Sequence, residues 1–165
     1  MKASEQCRAF IADYEKRARR AYKDSADKWT IGIGHLITPT ELANGNVFIG
    51  SDLGVPWRTI ALTDWQIDAL FEQDLAPREA ALTRMLTRKP TQEEFDAMLS
   101  LMFNIGEGRF MTSTVRRKFN AGDIAGAGKA FALFNKVNGK VERGLVKRRS
   151  QEQAMFLRGD YNSQH

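Results

Sequence analysis

The sequence predicts an α+β fold in which helix dominates, on three observations. Apolar residues recur with the period of a helix face in several separate stretches, and two of these open on a Thr-x-x-Gln or Thr-x-x-Glu capping box. One stretch, from Tyr22 to Leu36, is instead β-rich and broken by turn residues. With 165 residues and 42% hydrophobic content, the chain suits one domain or two small lobes sharing a core.

Taken in order, Cys7, Phe10, Ile11 and Tyr14 fall at i, i+3, i+4 and i+7, so the chain from about Ser4 to Glu15 is read as an amphipathic helix. Glu15 lies beside that apolar stripe. Partial desolvation there disfavours the anion and suits a carboxyl to hold a proton near neutral pH. Lys23 to Lys28 is a polar turn that sets Asp24 between lysines, surroundings that keep this second carboxyl ionised. Two carboxyl groups in environments that separate their pKa values suit glycosidic-bond hydrolysis, one protonating the leaving oxygen and the other acting as base or nucleophile. The same residues also fit a solvated helix end and an ordinary turn former, and spacing alone does not choose. Thr30-Ile31-Gly32-Ile33-Gly34-His35 follows as a strand whose alternate glycines bare one face, which marks a bulge or a close approach by a backbone or ligand.

From Glu41 to about Leu62 the chain is rich in Gly, Asn and Pro and is read as loop and turn, with a short strand around Val47-Phe48-Ile49, forming a lid or rim. Trp57 within it either stacks on a sugar face or plugs a local core. Thr63 to Gln66 is a capping box opening a helix that carries Ile67, Leu70, Phe71 and Leu75. Pro77 interrupts that pattern, so a kink or a break is expected between Asp74 and Pro77. Thr91 to Glu94 opens a buried helix to Ile105 on Phe95, Met98, Leu99, Met102 and Phe103. A short helix spans Ser113 to Asn120, Asp123 caps another to about Phe134, and Asn138-Gly139 turns the loop before a last helix from Gly144 to Leu157.

Composition narrows the function classes. Cys7 is the single cysteine, which forbids an intrachain disulfide, and its place on the apolar stripe makes it a core residue. With two histidines and no second ligand at metal spacing, His35 is a poor metal ligand and no metal is expected. A formal net charge of +5 favours a polyanionic partner such as nucleic acid, anionic membrane or peptidoglycan. No DNA-binding signature is present, so nucleic acid is not the expected partner. The absence of an apolar signal region and of any long apolar run leads to the expectation of a protein made in the cytoplasm without a signal peptide and without stable membrane insertion.

Glu15, then Tyr22, then Lys23-Asp24, then Thr30-Ile31-Gly32-Ile33-Gly34-His35 resembles the phage-type lysozymes, or endolysins, of glycoside hydrolase family 24. The resemblance implies a muramidase that cuts the β-1,4 bond between N-acetylmuramic acid and N-acetylglucosamine by inversion and without a cofactor. Glu15 matches the general acid, Asp24 the second carboxylate, and Thr30 the hydroxyl that positions the attacking water. One departure is Lys16, where the family has glycine; a lysine there either lowers the pKa of Glu15 or points to solvent. The resemblance also implies a small lobe of about residues 15–62, a linking helix of about 63–87, and a helical lobe of about 88–165 completed by the helix of residues 4–15, together a lysozyme-like domain. His35 and Asp74 would tie the hairpin to the linking helix. Leu36, Phe103, Asn104 in the turn Phe103-Asn104-Ile105-Gly106, and Ser113 after Phe110 would meet substrate. In Gly144-Leu145-Val146-Lys147-Arg148-Arg149-Ser150-Gln151-Glu152, which resembles the closing helix, Arg148 is favoured over Arg149 to hold the catalytic glutamate. The implied partner is peptidoglycan, met by a monomer in the periplasm after a holin or similar agent opens the membrane. Three other readings stand beside it: a lytic transglycosylase, which has no need of Asp24 and Thr30, an inactive wall-binding module, and a basic nucleic-acid binder.

Overall fold

The structure, a computed structural model, describes residues 1–163. It is mainly helical, with three small antiparallel sheets, as expected for the α+β class. The chain forms two compact units, one of Glu15–Pro77 and one of Met1–Tyr14 with the chain from Arg78 onward.

In the first of these, β1 (Ala18–Lys23), β2 (Trp29–Gly32) and β3 (His35–Leu36) form a three-stranded sheet in chain order. Tyr22 pairs with Thr30 and Lys23 with Trp29, while the register slips between Ala18 and Tyr22. Thr30 to His35 is therefore two strands and a turn, not the single strand expected. Gly32 and Gly34 stand at φ +65° and +67°, a left-handed conformation that glycine adopts without steric cost, and they fold β3 back against β2.

The segment from Glu41 is also more regular than a loop. Helix α2 (Pro39–Asn44) starts on a capping box in which the Thr38 hydroxyl accepts from the Glu41 N–H, and it ends on Gly45 at φ +73°. Strands β4 (Asn46–Ile49) and β5 (Leu53–Pro56) then make a hairpin, so the strand expected at Val47–Ile49 has a partner. Trp57 is buried and its indole N–H donates to the Glu41 carbonyl at 3.2 Å, which settles its role as a core plug. Helix α3 (Asp64–Met85) begins on the expected box, with the Gln66 N–H donating to the Thr63 hydroxyl at 3.2 Å and the Thr63 N–H to Gln66 Oε1 at 2.8 Å. The helix is unbroken at Pro77, which rules out a break; the proline brings no N–H to the Gln73 carbonyl one turn earlier.

In the second unit, α1 (Glu5–Glu15) buries Cys7, Phe10 and Ile11, and α4 (Gln92–Ile105) opens on the Thr91–Glu94 capping box. Sequence reasoning missed α5 (Glu107–Met111), a five-residue helix with little room for periodicity. Ser113 caps α6 (Thr114–Asn120), and Asp123 caps α7 (Ile124–Ala130), which passes into a 3-10 turn at Phe131–Leu133. The turn at Asn138 and Gly139, at φ +49° and +79°, joins a two-residue hairpin of β6 (Lys136–Val137) and β7 (Lys140–Val141). Helix α8 (Arg143–Arg158) closes the fold, and Phe10, Phe95, Phe110, Phe119, Phe131 and Phe156 fill the core of this unit.

Candidate active site

Glu15 is the last residue of α1 and is half-buried. Lys16 follows at φ +63°, a conformation that lets the chain leave the helix and enter β1 within two residues. Asp24 sits at the head of the turn between β1 and β2, where its Oδ1 accepts from the N–H groups of Ala26 at 2.8 Å and Lys28 at 2.9 Å. Its backbone closes the same turn, the Asp24 N–H donating to the Lys28 carbonyl at 2.9 Å. One carboxylate oxygen is thus fixed by the turn, and Oδ2 has no hydrogen-bond partner among the described residues.

Tyr22 relates the two acids. Its phenol is pushed above the ordinary tyrosine value by burial and then by the negative charges of Glu15 and Asp24, so both carboxylates act on one side chain. Thr30, 3% exposed, pairs directly across from Tyr22, and its hydroxyl donates to the Lys28 carbonyl at 3.3 Å. Glu15, Asp24 and Thr30 all belong to the unit Glu15–Pro77, with Thr30 paired to Tyr22 and exposed Leu36 cross-strand from Thr30. Sequence reasoning quoted Tyr22 but gave it no role.

Behind the sheet, His35 Nδ1 lies 2.9 Å from Asp74 Oδ2, so the expected pair is present. The structure adds a second acid: His35 Nε2 lies 3.0 Å from Oε2 of Glu41, itself buried. Burial alone would depress the imidazole pKa, but the two carboxylates outweigh it and raise the value. Glu41 moves down, because the Thr38 N–H and His35 overcome the opposite effect of burial. The signal for Glu41 was in the sequence as Thr38-Pro39-Thr40-Glu41, a capping box with proline at the first helical position.

The other expected residues lie in the second unit. Arg148 and Arg149 are both buried and both pair with Glu152, at 3.1 and 3.2 Å, while Ser100 donates to the same carboxylate at 2.7 Å. The Arg148 guanidinium also lies over the Tyr14 ring at 4.9 Å. Asn104, exposed, accepts from Arg149 at 2.8 Å, and Phe103 carries the Arg78 guanidinium 4.7 Å above its ring. Ser113 is only 4% exposed and its hydroxyl accepts from the Arg116 N–H at 3.1 Å, a capping task that the expected substrate contact did not include. Among the described residues no helix is long and apolar enough to cross a membrane.

Comparison with known proteins places these features in a family. The Phage lysozyme family model matches residues 12–152. An endolysin of Acyrthosiphon pisum secondary endosymbiont phage 1 is 36% identical over 160 residues, covering 94% of this chain and 98% of that protein. Among solved structures, the endolysin from Escherichia coli O157:H7 phage FAHEc1 superposes with a TM-score of 0.80 at 29% identity, covering 98% of this chain and 97% of that one. A P22 lysozyme mutant superposes with a TM-score of 0.78 at 30% identity, covering 95% of this chain and 99% of that one. Matched along most of its length by the family model and sharing the fold nearly end to end, the chain belongs to the phage lysozyme family, glycoside hydrolases that degrade peptidoglycan.

Proposed function

We propose that the chain is a phage endolysin that hydrolyses the β-1,4 bond between N-acetylmuramic acid and N-acetylglucosamine, with Glu15 and Asp24 dividing the acid and base work. Glu15 gives its proton to the glycosidic oxygen as the bond to the muramic acid C1 breaks. Asp24 takes a proton from water as that water's oxygen bonds to C1 from the opposite face, which is the inverting course. Thr30, whose hydroxyl proton points to the Lys28 carbonyl, keeps oxygen lone pairs with which to hold the water.

The observation that carries the reading is the way the turn treats Asp24: two backbone N–H groups hold one oxygen and leave the other for water. His35, with Asp74 and Glu41, supports the sheet that presents Thr30. Peptidoglycan is polyanionic and the chain carries a net charge of +5, which draws enzyme to wall. On this reading the protein acts as a monomer, without cofactor, on the periplasmic wall once a separate lesion has opened the membrane.

The test is digestion of purified Gram-negative peptidoglycan by the wild type, Glu15→Gln and Asp24→Asn, with mass spectrometry of released fragments. Reducing-end muramic acid products are expected, with a loss of about 100-fold to 10,000-fold in Glu15→Gln, the usual contribution of a general acid. Anhydro products together with an active Asp24→Asn would make the protein a lytic transglycosylase, and no release from the wild type would leave a wall-binding module.

A further inference from the structure

A cavity of about 260 Å³ opens in the unit made of Met1–Tyr14 and the chain from Arg78 onward. It is lined by Met1, by Thr83 near the end of α3, and by the segment 86–90 that follows that helix, with buried Phe95 of α4 behind them. Glu15, Asp24 and Thr30 all belong to the other unit, so the cavity uses none of the residues assigned to bond cleavage.

The segment around it is held in place. Asn120 of α6 grips both sides of the turn out of α3, its side-chain N–H donating to the Met85 carbonyl at 2.9 Å and its oxygen accepting from the Thr87 N–H at 3.0 Å. Pro90 fixes one more backbone angle. The Thr83 hydroxyl is already engaged, accepting from the Met1 amino group at 3.2 Å and donating to the Glu79 carbonyl at 2.8 Å. What remains on the walls is largely apolar: Met1, Leu86, Pro90 and Phe95. The volume exceeds the roughly 150 Å³ that admits a benzene ring and falls just short of the range of about 300–1,000 Å³ usual for drug-sized ligands, so a small guest fits.

Charge narrows the guest further. Arg88 and Lys89 line the cavity, both are exposed, and no carboxylate lines it. Among the described residues Lys89 has no hydrogen-bond or ion-pair partner, and Arg88 pairs with no carboxylate. The Arg88 guanidinium lies over the Phe119 ring at 4.8 Å. Stacking steadies a guanidinium and leaves its N–H edge open to an anion. Two uncompensated positive charges attract an anionic head, and apolar walls take a hydrocarbon chain out of water. A sugar satisfies neither demand and a cation is repelled.

We propose that this cavity binds a short-chain fatty-acid anion, with the chain against Met1, Leu86 and Pro90 and the carboxylate between Arg88 and Lys89. The class of reaction that supplies such a ligand is ester hydrolysis of lipids. The inference stands apart from the muramidase reading and needs no part of it.

Binding to the full chain tests it, followed by NMR, with octanoate, its neutral isostere octanamide, and acetate as probes. Octanoate should shift the Leu86 methyl and Thr87 amide resonances. Octanamide should bind about tenfold more weakly, a change worth about 1.4 kcal/mol, and acetate should leave both resonances unmoved. The double variant Arg88→Gln/Lys89→Gln, at two exposed positions, should lose the same tenfold toward octanoate while hydrolysing purified peptidoglycan at the wild-type rate. No shift at Leu86 and Thr87, equal binding of octanamide, or undiminished octanoate binding by the double variant would overturn the proposal. Loss of hydrolysis in a folded double variant would overturn the cavity's separateness from the catalytic residues. If the double variant does not fold, octanoate against octanamide on the wild type still decides.

Discussion

Lys16 occupies a backbone conformation that suits glycine, at φ +63° directly after Glu15. A side-chain-bearing residue pays about 1–2 kcal/mol in the left-handed region because Cβ crowds the following carbonyl. The resemblance noted in the sequence puts glycine at this place, and the geometry supplies the reason: α1 ends at Glu15 and β1 begins at Ala18, so the chain must leave the helix within two residues. Lys16 is exposed, so little contact offsets the strain. Lys16→Gly should therefore raise the stability of the chain by about 0.5–1 kcal/mol, the steric gain less the extra freedom glycine gives the unfolded state. Urea denaturation measures this directly. An unchanged or lower midpoint would show that the lysine side chain contributes more than its backbone costs.

At the scale of elements, His35 joins three of them. Its own strand β3 meets α3 through Asp74 and α2 through Glu41. Because the folded-state pKa of His35 is raised, its contribution is fully present below the unfolded value of about 6.5 and is lost as the pH rises through the folded value. Glu41 is lowered, so its contribution is present above the unfolded carboxylate value and lost as the pH falls through the folded one. The stability gap between the wild type and His35→Gln should be larger at pH 5.5 than at pH 9. A gap that is flat or grows with pH would mean that the imidazole is not held as a cation by its two acids. The pair with Asp74 was legible in the sequence only through resemblance, since the partners are 39 positions apart and no local pattern joins them. Glu41 was legible locally, but the Gly and Asn residues after it drew the whole segment toward loop. The helices with long apolar stripes were easier: α1, α3 and α4 begin within one residue of where capping and periodicity put them. Gly32 and Gly34 misled in the other direction, because alternate glycines in a strand and paired left-handed glycines in a turn look alike as letters.

Across the whole chain, Asp96 does what no local motif announces. It is fully buried on α4, and its carboxylate accepts from the Ser4 hydroxyl at 2.6 Å, the Gln92 side chain at 2.8 Å and the Tyr161 hydroxyl at 2.7 Å. The Ser4 hydroxyl in turn accepts from the Cys7 N–H at 3.0 Å at the start of α1. The first helix and the segment after α8 are thus fastened to one carboxylate, which explains how Met1–Tyr14 joins a unit whose other residues begin at Arg78. Tyr161 records the contact, its hydroxyl pushed far above the ordinary value by burial and by the Asp96 charge. Removing the acceptor strands several donors at once, and each unsatisfied buried group costs about 1–3 kcal/mol. Asp96→Ala should lose about 2–4 kcal/mol by the same measure, allowing for water reaching some of the donors. Asp96→Asn should lose less, since it keeps one accepting oxygen. Hydrogen exchange locates the damage: amides of α1 should lose protection in Asp96→Ala while those of β1 and β2, in the other unit, keep theirs. Equal loss in both units would mean that the carboxylate supports global stability only, and that α1 is held to its unit by its apolar face of Cys7, Phe10 and Ile11.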